Sequence, residues 1–211
     1  EKVGADIESV RKIMSEDKRI GKHFIFPGLG YGGSCFPKDV KSLIDIGKQN
    51  LVDMTVCSSV DKVNSNQRKI FIDKIKNYFG KIQGKRFAVW GLSFKPNTDD
   101  IREAPSIDII RDLISEGAHI NAHDPVASTN FKQLFNENIK FYSDSYDILD
   151  GSDALIINTE WSQYKQPDFS KIKKLLKNPV IFDGRNLYNK EKLLELGFFY
   201  SNVGFYPKDD K

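Results

Sequence analysis

The sequence predicts an α/β protein in which a mostly helical segment precedes an open, mostly parallel sheet. Two observations support this prediction. After residue 84, short apolar runs alternate with amphipathic helical patterns, which is typical of a doubly wound parallel sheet. Before that point, apolar residues recur at helical spacing, and the pattern favours helices over strands. We therefore expect two domains, residues 1–84 and residues 85–211.

The first part is expected to hold three helices. The first carries apolar residues at helical spacing from Val3 and Ile7 onward. No capping residue precedes it, so we expect the chain to enter this helix part-way and to be a piece of a longer protein. In the third helix one apolar face is expected to include Val60 and Phe71, and Gly80 is placed to end it. The predicted helices span residues 1–14, 38–47 and 54–79.

The second part is expected to alternate strands with helices. Predicted strands cover residues 86–90, 119–122, 139–142, 153–158, 179–182 and 198–203. Predicted helices cover residues 106–116, 171–176 and 190–196. In open parallel sheets ligands bind beyond the carboxyl ends of the strands, at the point where the strand order reverses. The loops that follow the first, second and fifth strands are therefore the candidate ligand loops.

These loops carry four polar residues of interest. The loop after the first strand lacks the G-x-G-x-x-G spacing of a dinucleotide fingerprint, but it offers Lys95 and Arg102, two cations suited to phosphate. Asp124 follows the second strand and Arg185 follows the fifth. The alternative interpretation is that the cations are solvated side chains and that Asp124 caps a turn before Pro125.

Composition argues against several classes of protein. The 211 residues are 39% hydrophobic and 29% charged, which is ordinary for a globular chain. A net charge of +3 without a dense basic tract does not indicate nucleic-acid binding, and no apolar run approaches the length of a membrane span. The three histidines lack metal-ligand spacing, so no metal site is expected. The two cysteines do not suggest a disulfide framework, which favours a reducing compartment, the cytoplasm.

The stretch from residue 24 to residue 39 is the most informative in the chain. It reads FIFPGLGYGGSCFPKD, a glycine-rich loop that brings Cys35 to the start of a predicted helix. Pro37 and Asp39 suit the first helical turn. Unpaired backbone N–H groups and the cation of Lys38 favour a thiolate there, so the pattern predicts an activated nucleophile. The alternative is a small buried hydrophobic residue, which is how we interpret Cys57, among the valines of the third helix.

Four segments together resemble the UDP-glucose/GDP-mannose dehydrogenase family. They are the Cys35 loop, Phe94-Lys95-Pro96, residues 102–106 and residues 182–185, in that order. The resemblance implies a Rossmann-like second domain that binds a UDP-sugar, a central helical domain that forms a homodimer, and an N-terminal NAD-binding domain that this sequence does not contain. It also implies oxidation of UDP-glucose to UDP-glucuronate, in two hydride transfers to NAD through a Cys35 thiohemiacetal and thioester.

The resemblance also assigns roles to individual residues. Cys35 resembles the nucleophile, which also contacts NAD, Asp39 a residue that orders water, and Arg102 a contact to NAD. Arg19 resembles an arginine that reaches the neighbouring subunit's sugar site, and Phe24 stands where some relatives have tyrosine. The implied sugar-nucleotide contacts are Arg19, Phe24, Ile25, Phe26, Pro27, Gly28, Tyr31, Gly32, Gly33, Lys95 and Arg185.

Two alternatives stay open at this point. Because residues that the family carries further upstream are absent from the sequence, the chain alone is expected to be inactive. The alternative to a part of an enzyme is a non-catalytic module for UDP-sugar binding and dimerisation. The substrate alternatives are GDP-mannose and a UDP-hexosamine, although Phe36 and the loop around Tyr31 favour UDP-glucose.

Overall fold

The computed structural model describes residues 1–135 and 139–207. Three helices come first: α1 (Ile7–Ser15), α2 (Phe36–Gln49) and α3 (Thr55–Phe79). Strands and helices then alternate as β1 (Arg86–Trp90), α4 (Pro105–Ser115), β2 (His119–His123), α5 (Ser128–Phe135), β3 (Ile139–Phe141), β4 (Ala154–Ile157), α6 (Phe169–Leu175), β5 (Val180–Asp183), α7 (Lys190–Glu195) and β6 (Phe199–Asn202). Short 3₁₀ turns lie at Asp147–Leu149 and Ser162–Tyr164.

The six strands form one sheet in the order β3-β2-β1-β4-β5-β6, and every neighbouring pair is parallel. The chain runs from β1 outward to β3 and then crosses back to place β4 on the other side of β1. The order therefore reverses between β1 and β4, so their carboxyl ends form the switch point at which such sheets bind ligands. The predicted fold class is confirmed.

Apolar side chains cover both faces of the sheet. On one face, Phe71 and Ile75 of α3 pack with Phe87 of β1 and Phe182 of β5 in a common core. The other face is covered by a second cluster, which includes the stacked rings of Trp90 and Tyr164. The second half of α3 therefore packs on the sheet itself. The division of the chain at residue 84 stays a prediction.

The prediction that the first helix starts at Glu1 is wrong. Asp6 is the N-cap of α1, and its carboxylate accepts a hydrogen bond from the Glu8 N–H at 3.0 Å. Gly4 has a φ of +79°, a left-handed conformation that a continuing helix does not contain. Val3 fits the helical spacing but lies outside the helix, with 90% of its surface exposed.

Helix α3 follows the prediction in length but not in the burial of its apolar face. Gly80 ends the helix as expected, with a φ of +65° and a hydrogen bond from its N–H to the Lys76 carbonyl oxygen. Phe71 and Ile75 are buried, whereas Val60 and the other valines of the first half are exposed. Helix α5 was not predicted. The predicted strands and remaining helices are present, with ends shifted by about one or two residues.

No helix within residues 1–135 and 139–207 combines the length and the hydrophobicity that crossing a bilayer requires.

Candidate functional site

Cys35 stands at the N-terminus of α2 with an exposed side chain. Its carbonyl oxygen accepts the first hydrogen bond of the helix from the Asp39 N–H, at 2.8 Å. The Ser34 hydroxyl lies 3.6 Å from the Cys35 sulfur. An exposed position at a helix N-terminus does not fit a buried packing residue, and it leaves the sulfur accessible to a ligand. Cys57 is half-buried on α3, and both cysteines are free thiols.

Asp39 and Lys38 lie in the first turn of α2. Their side chains are both exposed, and the Lys38 ammonium lies 3.3 Å from an Asp39 carboxylate oxygen. A carboxylate in the first turn of a helix is favoured by the helix dipole. Asp39 therefore presents a charged acceptor one turn away from the Cys35 thiol.

The loop after β1 lies directly against the glycine loop. The Gly33 N–H donates a hydrogen bond to the Arg102 carbonyl oxygen at 2.8 Å. Gly33 has a φ of +92°, and a Cβ added to it would lie 2.8 Å from the nearest atom of the Phe94 ring. Only glycine fits this backbone conformation and this contact together. A Cβ added to the neighbouring Gly32 would collide with the Glu103 carbonyl oxygen.

The carboxyl end of β5 meets the first part of the glycine loop. Leu29 is fully buried in the core and packs against Gly184, and the Arg185 guanidinium lies beside Gly28. Arg185 is held by Glu160: its Nη2 donates to Glu160 Oε1 at 2.8 Å, and its Nε lies 2.8 Å from Oε2. The Cys35 loop is therefore packed against both candidate loops, after β1 and after β5.

Asp183 gives the Arg185 loop its shape. One carboxylate oxygen accepts from the Arg185 N–H at 2.8 Å, and the other accepts from the Leu187 N–H at 2.7 Å and the Tyr200 hydroxyl at 2.9 Å. Complete burial is the largest influence on this carboxyl group and raises its pKa. The donors around Asp183 fix the turn in which Arg185 leaves the sheet.

Asp124 organises the loop after β1 from the end of β2. One oxygen accepts from the N–H groups of Val126 and Ala127, at 3.0 and 2.8 Å, which is the turn cap considered from the sequence. The other oxygen accepts from the Leu92 N–H at 2.8 Å and the Trp161 indole N–H at 3.1 Å. Asp124 therefore joins the loops after β1, β2 and β4 at the switch point.

The two cations of the loop after β1 remain available to a ligand. The Arg102 side chain is 69% exposed and donates two hydrogen bonds to Asp100, at 2.9 and 2.8 Å. The Asp100 carboxylate, through its hydrogen bonds and its charge, raises the pKa of Arg102. The Lys95 ammonium is exposed and lies 5.3 Å from the centre of the Phe94 ring. Both cations thus belong to the loop that contacts the glycine loop.

Arg19 and the first aromatic residues of the stretch 24–39 are not brought into this cluster. Arg19 is 89% exposed and pairs with Asp17, whose carboxylate raises the pKa of the guanidinium. Phe24 is 88% exposed. Phe26 is 60% exposed, and the Arg11 guanidinium lies 4.9 Å from the centre of its ring. The expected sugar-site roles of Arg19, Phe24 and Phe26 therefore stay predictions.

Three residues that the sequence analysis did not single out belong to the cluster. Glu160 holds Arg185, and Asn64 and Arg68 of α3 bind the backbone of Tyr31. A signal for the last two was present, because they are polar residues four apart on the helical face that continues into Phe71 and Ile75. Glu160 lies three residues after the end of β4, at the switch point, which is a weaker signal.

Across the part of the chain that the structure describes, no group of three or more His, Cys, Asp or Glu side chains is arranged to hold a metal ion.

Comparison with known proteins relates both parts of the chain to one family. Residues 1–66 match the model of the UDP-glucose/GDP-mannose dehydrogenase family, central domain, and residues 88–190 match the model of the same family's UDP binding domain. The first match includes the Cys35 loop. The second begins in β1 and ends where α7 begins.

Three relatives illustrate the similarity. The chain is 44% identical to a UDP-glucose 6-dehydrogenase of Pseudomonas aeruginosa over 95% of its own length, and 45% identical to one of Bacillus subtilis over 97%. In each case it spans 46% of the relative. A solved UDP-glucose dehydrogenase from Pyrobaculum islandicum superposes with a TM-score of 0.85 at 33% identity, over 97% of this chain and 45% of that one.

The two family models follow each other along the chain in the same order as the glycine loop and the sheet that it contacts. The chain spans less than half the length of the curated relatives that it matches. The chain therefore belongs to the UDP-glucose/GDP-mannose dehydrogenase family, and the parts of that family that it carries are the central domain and the UDP-binding domain.

Proposed function

We propose that this chain binds a UDP-sugar between its glycine loop and the carboxyl edge of its sheet, and that it forms the substrate part of an NAD-dependent dehydrogenase that oxidises UDP-glucose to UDP-glucuronate. One observation carries the proposal. An exposed cysteine stands at the start of α2, on a loop whose backbone packs against the ligand loops after β1 and β5. The similarity to UDP-glucose 6-dehydrogenases supports the same substrate.

The cations of the two sheet loops suit the diphosphate of the substrate. Arg185 is held in place by Glu160, and Lys95 is exposed beside Phe94. Planar guanidinium groups and ammonium groups are the usual partners of phosphate oxygens. Because Gly32 and Gly33 carry no side chain, the glycine loop packs directly against the loop after β1, which brings Cys35 and the cations of that loop together. In this proposal residues 24–28 and Tyr31 complete the enclosure of the sugar.

The chemistry assigned to this chain is covalent capture of an aldehyde. After the sugar alcohol has been oxidised, the Cys35 sulfur attacks the aldehyde carbon, a C–S bond forms and the carbonyl oxygen takes a proton to give a thiohemiacetal. Loss of a second hydride and of the hydroxyl proton converts this adduct into a thioester. Water then attacks the thioester carbon, the C–S bond breaks, and the carboxylate and the thiolate are released together with two protons. In this proposal the Asp39 carboxylate, one turn from Cys35, orients that water.

NAD is the acceptor that this chemistry requires, and two NAD molecules, bound in turn, would each take up one hydride. The sheet of this chain does not offer a complete dinucleotide site: the loop after β1 lacks the glycine fingerprint, and Asp124 already binds backbone N–H groups and Trp161. The residues that fit a contact with NAD held elsewhere are Arg102, an exposed cation, and the Cys35 thiol near it.

We further propose that the chain acts as a homodimer in the cytoplasm. Val56, Val60 and Val63 form an exposed apolar strip on α3, which a second copy would cover. In such a dimer, Arg19 reaches the site of the partner subunit. The free thiols of both cysteines fit a reducing compartment.

Calorimetry with this chain distinguishes the proposed functions. We expect UDP and UDP-glucose to bind, and we expect no NADH to form when NAD and UDP-glucose are added together, because the acceptor site is incomplete. In a protein that also carries an NAD-binding domain, Cys35→Ser is expected to stop the reaction before the acid forms. Absence of binding by the isolated chain contradicts the proposed site. NADH production by the isolated chain contradicts the proposal that NAD is held elsewhere.

A further inference from the structure

Two buried polar side chains of α3 hold both backbone groups of Tyr31, in the glycine loop that leads to Cys35. Asn64 Oδ1 accepts a hydrogen bond from the Tyr31 N–H at 2.7 Å, and Asn64 Nδ2 donates to the Tyr31 carbonyl oxygen at 3.1 Å. One turn later, Arg68 Nη2 donates to the same carbonyl oxygen at 3.0 Å. Asn64 is 9% exposed and Arg68 8%. Three hydrogen bonds on one residue fix the orientation of its peptide groups as well as their position.

Arg68 also connects this loop to the sheet. The same Nη2 donates to the Glu103 carbonyl oxygen at 3.2 Å, and Nη1 pairs with the Asp108 carboxylate on α4. One guanidinium therefore joins α3, the glycine loop, the loop after β1 and α4. A buried cation without partners is strongly unfavourable, so the contacts of the Arg68 guanidinium stabilise the arrangement of these four segments.

The sequence of the loop is matched to these contacts at Gly30. Gly30 has a φ of +101°, a conformation that side-chain-bearing residues rarely adopt. A Cβ at this position would also collide with Asn64 Oδ1. The glycine thus lets the Asn64 amide reach the Tyr31 backbone.

Packing of aromatic rings couples the position of Tyr31 to the position of Cys35. The Tyr31 ring contacts the Phe36 ring edge-to-face, with 4.6 Å between the ring centres. Phe36 is the first residue of α2 and follows Cys35 directly. Cys35 makes no side-chain capping hydrogen bond that would hold the start of α2 on its own. Fixing Tyr31 therefore also fixes the place at which the thiol leaves the loop.

We propose that Asn64 and Arg68 are positioning residues for the sugar end of the site. They hold the glycine loop so that its backbone and the Cys35 thiol face the sugar, whereas the loops of the sheet bind the nucleotide end. The inference rests on the proposed function, since it assumes that a nucleotide-sugar occupies this site. It predicts that the loss of either side chain weakens binding of the sugar far more than binding of the nucleotide.

The test compares the affinities of this chain for UDP-glucose and for UDP, measured by calorimetry. The variants are Asn64→Leu, which removes both amide hydrogen bonds, and Arg68→Lys, which keeps the charge but not the forked donors. Asn66→Leu is the matched control, because Asn66 is exposed on the same helix. Circular dichroism establishes that each variant is folded.

We expect the Kd for UDP-glucose to rise about tenfold in Asn64→Leu and Arg68→Lys, the effect of losing one or two hydrogen bonds. The Kd for UDP is expected to change less than about threefold, because both variants keep Lys95 and Arg185, the cations assigned to the diphosphate. Asn66→Leu is expected to match the wild type for both ligands.

Two results overturn the inference: a UDP-glucose affinity that stays at the wild-type value in the folded variants, or an equal loss of affinity for both ligands, which indicates general structural damage. If Asn64→Leu does not fold, Arg68→Lys decides between the outcomes. A wild-type chain that binds neither ligand contradicts the proposed function itself and removes this inference with it.

Discussion

Glu160 and Arg185 form a two-point ion pair at the carboxyl edge of the sheet. Arg185 Nη2 donates to Glu160 Oε1, and Nε faces Oε2, each at 2.8 Å. The side chains are only 19% and 26% exposed, so water screens the pair less than it screens surface charges. Glu160 therefore determines both the direction and the electrostatic environment of the guanidinium that we assign to the substrate.

Glu160→Gln is expected to destabilise the chain, because it leaves the partly buried Arg185 guanidinium without its counter-charge. We expect the free energy of unfolding in urea to fall by about 1–3 kcal/mol. The matched control is Asp45→Asn, which breaks an exposed pair with Lys48 and is expected to cost less than about 0.5 kcal/mol. Equal losses in the two variants would contradict the role given to Glu160.

Gly33→Ala is expected to disturb the contact between the glycine loop and the loop after β1. The backbone at this position is left-handed, which a residue with a Cβ rarely adopts, and the added Cβ also meets the Phe94 ring. We therefore expect a loss of about 1–3 kcal/mol in unfolding free energy and weaker UDP-glucose binding. Gly84→Ala is the control, since Gly84 has a φ of +76° but open space around its Cβ. The prediction fails if Gly33→Ala costs no more than Gly84→Ala.

Asp153 is expected to make stability depend on pH in the acid range. Burial is the largest single influence and opposes ionisation, but the Arg86 N–H at 2.9 Å and the Lys177 ammonium at 3.0 Å, with Lys85, together lower the pKa of this carboxyl below 3.8. Because the folded-state pKa is lower than the unfolded one, the stabilisation is full above pH 3.8 and is lost as the pH falls through the folded-state value.

The measurement for Asp153 is the urea midpoint at a series of pH values below neutrality. The wild type is expected to lose stability as the pH falls below about 4, and Asp153→Asn is expected to show a shallower decline because it has no proton to bind there. Asp45→Asn serves as the exposed control and should keep the wild-type slope. Identical slopes for all three chains would show that Asp153 is not the titrating group.

Much of the fold could be predicted because it is encoded locally. The strands of the sheet are short apolar runs. Helix α3 ends at Gly80, whose left-handed backbone conformation favours glycine. The start of α1 could not be read from spacing, since Val3 fits the helical period although Gly4 breaks it. Helix α5 has only eight residues, too few for a clear helical period, and the sequence analysis does not predict it. The exposed valines of α3 show that spacing predicts a face but not what covers it.

The candidate site could be predicted only in its glycines, its cysteine and its strand-end cations. Asn64 and Arg68 bind a residue more than thirty positions away, and such partners are set by tertiary structure rather than by local pattern. For Asp124 the alternative interpretation, a turn cap, is correct, and its second oxygen binds the loop after β1. The tertiary contacts that join these segments could not be predicted from the sequence.

The most direct test of the central claim is whether UDP-glucose shields Cys35 from iodoacetamide. Alkylation of Cys35 and Cys57 is followed in the same sample by mass spectrometry, so Cys57 serves as the internal reference. Saturating UDP-glucose is expected to slow alkylation of Cys35 about tenfold or more and to leave Cys57 unchanged. An unchanged alkylation rate for Cys35 in the presence of saturating UDP-glucose would contradict the account.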